Sequence, residues 1–213
     1  MKGITFGIYH SYDDLNLILI SKEIGSPTVK ERKIDIEGAD GALDLTDFFG
    51  EPKYENVTHK FEFQTIIPQA QFLSLFSSVK NALHGKKMRI ILDGDPLFYY
   101  LGRLKVSSFT NEKNVGTISI ECDCEPYKYK LAKTVVSVAV AGSATTIKLN
   151  NGRKRAVPEI TTTASMTIAF DGWSVSRSAG TFVIPELELV EGENFVTVTG
   201  TGKITFTWQE GDL

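Results

Sequence analysis

The residues best suited to chemistry in this 213-residue chain are two cysteines, three histidines, an Asp-x-Asp pair and two tryptophans. Cys122 and Cys124 sit one residue apart on a predicted strand, where the two-residue period points both side chains to one face. A bridge between such neighbours would strain the backbone. A zinc site needs about four ligands, and His10, His59 and His84 show no ligand spacing that could complete one. The pair therefore reads as two reduced, partly buried thiols, and no metal or cofactor is expected. Such sparse cysteine use suits a chain that folds in a reducing cytoplasm.

Other candidates for catalysis reduce to structure. Asp93-Gly94-Asp95-Pro96 is a turn whose carboxylates are accounted for by hydrogen bonds to nearby backbone, and carboxylate catalysis would need one group raised in pKa within a cleft. Gly85-Lys86-Lys87 lacks the glycines and hydroxyl of a phosphate-binding loop, and there is no Gly-x-Ser-x-Gly elbow. Asn56-Val57-Thr58 fits a glycosylation sequon, which matters only in a secretory compartment and reads as chance. Trp173 and Trp208 could be stacking platforms for sugar; their alternation with Val175 and Phe206 makes them core positions first. No enzymatic activity is expected.

Charge narrows the partners. With 23 basic and 26 acidic residues the net charge is −3, without the basic stripe of a nucleic-acid reader. The densest basic run, Arg153-Lys154-Arg155, lies between Asn150-Asn151-Gly152 and Pro158 and reads as a solvated loop. The segment from Met1 to Phe6 lacks the apolar core of a signal peptide, and the run Leu15 to Ile20 is too short to span a bilayer. No membrane insertion is expected.

The elements that would position these residues are mainly strands. One helix is predicted over Pro68 to His84, with Phe72, Leu75, Phe76, Val79 and Leu83 at three- and four-residue intervals, Pro68 in its first turn and Gly85 left-handed just past its end. Around it, Tyr54 to Ile66, Met88 to Leu92, Leu97 to Phe109 and Gly116 to Cys124 read as strands. All tyrosines, histidines and cysteines precede residue 130, whereas Thr-rich alternation follows it. This shift predicts two domains, 1–130 and 131–213, with a linker over Lys128 to Lys133.

In the second part strands are expected at Thr134 to Val140, Thr145 to Leu149, Met166 to Phe170, Trp173 to Arg177, Thr181 to Ile184, Leu187 to Val190, Phe195 to Thr199 and Lys203 to Trp208. Asp171-Gly172 is a tight-hairpin signal. Short strands at this spacing imply a β-sandwich.

Residues 26–55 differ from the rest of the first part. Pro27, Gly38, Gly41, Gly50 and Pro52 punctuate them, and Lys30, Glu31, Arg32 and Lys33 make Thr28 to Ile36 too charged for a core strand. They read as an arm or hairpin leaving the body. Gly38 and Gly41 bracket Asp40 where the backbone calls for positive φ, and Asp44 is placed to close the following turn with its carboxylate. Gly102 and Arg103 follow Tyr99 and Tyr100 on a strand, where a missing side chain allows close approach and the cation can pair with an acidic neighbour.

Three segments in this order, Ile36 to Thr46 (IEGADGALDLT), Tyr99 to Val106 (YYLGRLKV) and Ile118 to Tyr129 (ISIECDCEPYKY), resemble the distal tail proteins of long-tailed bacteriophages. Glu191 to Phe206 (EGENFVTVTGTGKITF) is similar to the closing hairpin of that family's galectin-like C-terminal module. The resemblance implies an N-terminal β-barrel or sandwich carrying a helix and an extended arm, followed by a galectin-like sandwich. It implies a hexameric ring in the virion tail tip, assembled in the host cytoplasm, that joins the tail tube protein to the tip or baseplate proteins and the receptor-binding protein. DNA would pass through its lumen without specific binding. Arg32, Lys33, Gly38, Asp40, Gly41, Asp44, Gly102 and Arg103 would then lie at or near subunit boundaries. The alternative is a carbohydrate-binding adhesin that uses Trp173 and Trp208, although the cluster of sugar-binding side chains found in galectins is not matched.

Overall fold

The computed structural model describes residues 3–48 and 50–213; Met1, Lys2 and Phe49 lie outside the described residues. The chain is mainly β, with one α-helix among the described residues, and it divides into two compact units, 1–128 with Leu213, and 129–212.

The first unit is built on one sheet, because its strands alternate apolar and polar residues and so bury one face. Its strands are β1 (Ile4–Phe6), β2 (Tyr9–His10), β3 (Ile18–Glu23), β6 (Val57–Ile66), β7 (Lys87–Leu92), β8 (Phe98–Glu112) and β9 (Val115–Lys130). Between β3 and β6 the chain makes a separate ribbon of β4 (Lys33–Asp35) and β5 (Ala42–Asp44). The sheet runs β2-β1-β7-β8-β9-β6-β3. In β6, Val57, His59, Phe61, Phe63 and Thr65 turn inward and their neighbours outward, the period-two pattern read from the sequence. Phe6 meets Phe61 and Phe63 edge-on with ring centroids 6.2 and 6.0 Å apart.

The helix α1 (Phe72–Leu83), preceded by a 3-10 turn at Gln69–Gln71, lays Phe72, Val79 and Leu83 on the inner face of that sheet. Phe76 stacks on Phe109 of β8 at 4.7 Å. Gly116 of β9 makes room for the helix, since a Cβ there would lie 2.6 Å from the Phe72 ring. Pro68 stands just before the 3-10 turn rather than inside the first α turn. Gly85 is left-handed as expected (φ 77°), but its N–H donates to the Leu104 carbonyl of β8, so it ties the helix end to the sheet.

The second unit corrects several expectations. Its strands are β10 (Thr134–Ala141), β11 (Thr145–Asn151), β12 (Glu159–Thr162), β13 (Met166–Phe170), β14 (Trp173–Arg177), β15 (Gly180–Val183), β16 (Gly192–Trp208) and β17 (Gly211–Asp212). The β13–β14 hairpin has the expected two-residue turn, with Asp171 and Gly172 at φ 48° and 80°. β12 was hidden in the sequence behind Val157-Pro158, and Leu187 to Val190 is no strand, contributing only a bridge between Leu189 and Ala156. The expected hairpin over Glu191 to Phe206 is instead part of one continuous strand.

That strand is the backbone of the sandwich. The first part of β16 pairs with β13 and β11, and the second part with β12 and β10, so it passes from one sheet into the other. The crossing falls at Gly200 and Gly202, whose φ values of 151° and 141° are open to glycine alone. The core between the sheets holds Leu149, Ile160, Ile168, Leu187, Leu189, Val196, Val198, Ile204 and Phe206, all fully buried. The expected linker at Lys128 to Lys133 is shorter, because β9 continues through Lys130 and leaves only 131–133 between strands.

Candidate functional site

The arm is where the structure gathers most of the residues singled out from sequence. Its base is a two-stranded ribbon, in which Val29 bridges Tyr54, the Lys30 N–H donates to the Lys53 carbonyl (2.7 Å) and the Glu55 N–H to the Thr28 carbonyl (2.8 Å). Tyr54 packs edge-on against Tyr127 of β9, 5.9 Å between centroids, which anchors that base to the sheet. Further out, β4 and β5 pair in the register Lys33–Asp44, Ile34–Leu43 and Asp35–Ala42.

Local polar contacts fix the shape of the ribbon. The Thr46 N–H donates to the Asp44 carboxylate (2.9 Å), and hydrogen bonds from Thr46 hold that carboxyl below its usual pKa. The Arg32 N–H donates to the Thr46 hydroxyl (3.1 Å), and the Leu45 N–H to the Arg32 carbonyl (2.7 Å). Lys33 donates to Glu31 (2.7 Å), which raises the lysine pKa. At the tip, Gly38 and Gly41 take φ values of 83° and 75°, with nothing within 4 Å of where a Cβ would stand, so it is the backbone conformation that selects glycine. Asp40 lies exposed between them.

Sequence reasoning missed the apolar side of this ribbon. Because strand side chains alternate, Lys33, Asp35 and Asp44 share one face; Ile34 lies on the other, Ile36 follows just past the end of β4, and Leu43 stands opposite Ile34. Ile34, Ile36 and Leu43 are 46, 51 and 48% exposed, and Phe48 nearby is 72% exposed. The signal was present as Ile-x-Ile and Leu-x-Leu flanking the Gly-Ala-Asp-Gly turn, but the charged residues between them dominated the reading.

Gly102 and Arg103 stand apart from the arm, on β8 within the sheet. A Cβ on Gly102 would collide with the Cys124 Sγ and lie 2.8 Å from the Asp123 carbonyl oxygen, so the glycine serves close packing of β8 on β9. Arg103 does not take the expected acidic partner: its guanidinium donates to the Gly85 carbonyl at 2.6 Å, at the end of the helix, where carbonyls lack helical partners.

Cys122 and Cys124 are free and fully buried, not partly so. Burial pushes both thiols up, Cys124 to about 12, which suppresses the reactive thiolate. Among the described residues no group of three or more His, Cys, Asp and Glu could hold a metal ion. A cleft of about 760 Å³ at the tip of the β8–β9 hairpin is lined by residues that include Gln64, Thr110, Asn111, Lys113 and a single carboxylate, Glu112. Trp208 is 2% exposed and cannot stack on a sugar; Trp173 is half-buried, edge-on to Phe170. Of the basic run, Arg153 and Arg155 are ion-paired with Glu191 and Glu188 and only partly exposed.

A helix-bearing sheet with a two-stranded ribbon, followed in the chain by a β-sandwich, is a fold shared with a solved phage protein. The chain is similar over its full length to the crystal structure of phage SPP1 Dit (gp 19.1), described as a paradigm of the hub adsorption apparatus in phages that infect Gram-positive hosts. The TM-score is 0.74, all of both chains is covered, and 14% of residues are identical. No family model and no curated protein matches the sequence. No helix among the described residues is long and apolar enough to cross a membrane.

Proposed function

We propose that the chain is a structural hub of a phage tail tip, in which six copies close head to tail into a ring. The ring joins the tail tube to the tip or baseplate complex and its receptor-binding apparatus, and DNA passes through its lumen. The part spanning 1–130 forms the ring and the galectin-like sandwich of 131–213 accompanies it. A heterologous interface closes into a ring when the rotation between neighbours fits, and this reading assigns the arm to that interface.

The observation that carries it is the unpartnered apolar face of the β4–β5 ribbon, on a fold that is similar end to end to a tail hub. A two-stranded ribbon is marginal by itself in water and gains stability when its apolar face is covered. Arg32, Lys33, Gly38, Asp40, Gly41 and Asp44 then set the shape and charge of the contact, whereas Gly102 and Arg103 are accounted for inside the sheet. A net charge of −3 is consistent with a conduit that does not hold phosphate.

Negative-stain imaging of the purified chain, alone and mixed with tail tube protein, tests the reading. Six-fold rings with a central opening are expected. Isolated globules under both conditions would overturn it.

A further inference from the structure

Sheet edges are templates for pairing with another chain, and proteins blunt them with charge, proline, bulges or brevity. Most edges of this protein are blunted in this way. β3 carries a bulge between Leu19 and Ser21 together with Lys22 and Glu23. β11 carries Lys148, paired with Glu193, and β14 ends on Arg177. β2 and β15 are two and four residues long.

β10 has none of these devices. Its eight residues, Thr-Val-Val-Ser-Val-Ala-Val-Ala, contain no charge and no proline, and they pair with β16 in unbroken register from Thr134–Trp208 to Ala141–Thr201. Among the described residues no strand pairs with its other side. Val136 and Val138 point inward against the core yet are only partly buried, so the sandwich core reaches the margin there, and Val135 on the outer face is 58% exposed.

We propose that this edge pairs with the same edge of a second copy, antiparallel about Val138, extending the sheet across a two-fold axis. The strand complements itself in that register. On the outer face Val135 falls opposite Ala141, large against small, and Ser137 opposite Ala139, both small. Val136 falls opposite Val140 and Val138 opposite itself, continuing the core. No charge meets a like charge. The contact is isologous and independent of the arm, so it goes beyond the ring and would join rings, or single chains where rings have not formed.

The test uses the full chain and light scattering. Ser137 and Ala139 are exposed on the outer face, so S137E/A139E and S137K/A139K leave the core intact, as melting temperatures will verify. The wild type is expected at twice the mass of either variant or more, and an equimolar mixture of the two variants should regain it, because opposite charges then face across the axis. If a double variant melts early, A139E alone is read in the same way. Equal masses for wild type and variants, or a mixture that stays at the variant mass, would overturn the pairing; this includes the case in which the edge takes a strand from some other protein. The ring is judged separately: with I34D/L43D in the arm the edge pairing predicts a dimer, and a monomer there would overturn it, while S137E/A139E should still form six-fold rings.

Discussion

Ile34 stands directly opposite Leu43 in the arm, and both side chains are about half exposed on the face away from Lys33 and Asp44. Directly opposed apolar pairs stabilise a ribbon by about 0.2–1 kcal/mol, far too little to explain why two large hydrophobic side chains remain in water. In the proposed ring a neighbouring subunit would cover them. Substituting the charged face, R32E/K33E, removes contacts that solvent largely screens, whereas I34D/L43D removes the apolar area itself. Sedimentation of both variants should show the second dissociating rings at concentrations where the first retains them. The opposite ranking would move the contact to the charged face.

Gly200 lies so close to β13 that a Cβ would stand 2.9 Å from the Met166 Cγ and 3.0 Å from the Ser165 carbonyl oxygen, at a φ of 151°. Strain of this kind costs about 1–3 kcal/mol before any clash is counted. G200A should therefore lower stability in urea by at least that amount and loosen both sheets together, since β16 belongs to both. G172A, at an open hairpin turn, should cost less. Equal losses would show that the corner is not what holds the sandwich.

His59 is buried on β6, its Nδ1 accepting the Gly25 N–H at 3.2 Å and its ring 4.4 Å from that of Tyr100. Desolvation lowers its pKa below 6.5, so the folded protein holds it neutral while the unfolded chain protonates more readily. The sign follows from linkage: stability is complete above about pH 6.5 and falls as acid is added, until the pH reaches the lower folded value. H59Q should flatten the dependence of melting temperature on pH across this window. An unchanged slope would assign the acid sensitivity to other groups.

Part of this molecule was legible from its sequence because the relevant physics is local. The stripe Phe72, Leu75, Phe76, Val79 and Leu83 defines a helix face whatever lies beneath it, and Asp171-Gly172 specifies a turn through its own backbone angles. The alternation of β6 and the close approach at Gly102 likewise follow from side-chain period and size. Gly38, Gly41 and Asp44 shape the arm through backbone angles and a hydrogen bond spanning two residues.

Tertiary structure decided the remainder, where the same residues satisfy two local readings. Gly200-Thr201-Gly202 reads as a turn between two strands. It became the corner of one strand because β10, β11, β12 and β13 supply hydrogen-bond partners on both sides of it, which no local term contains. Arg103 read as half of an ion pair until the end of the helix placed the Gly85 carbonyl beside it. The apolar face of the arm and the open edge of β10 appear only when strand register is known, because register alone decides which face a side chain takes and which backbone groups are left without a neighbour.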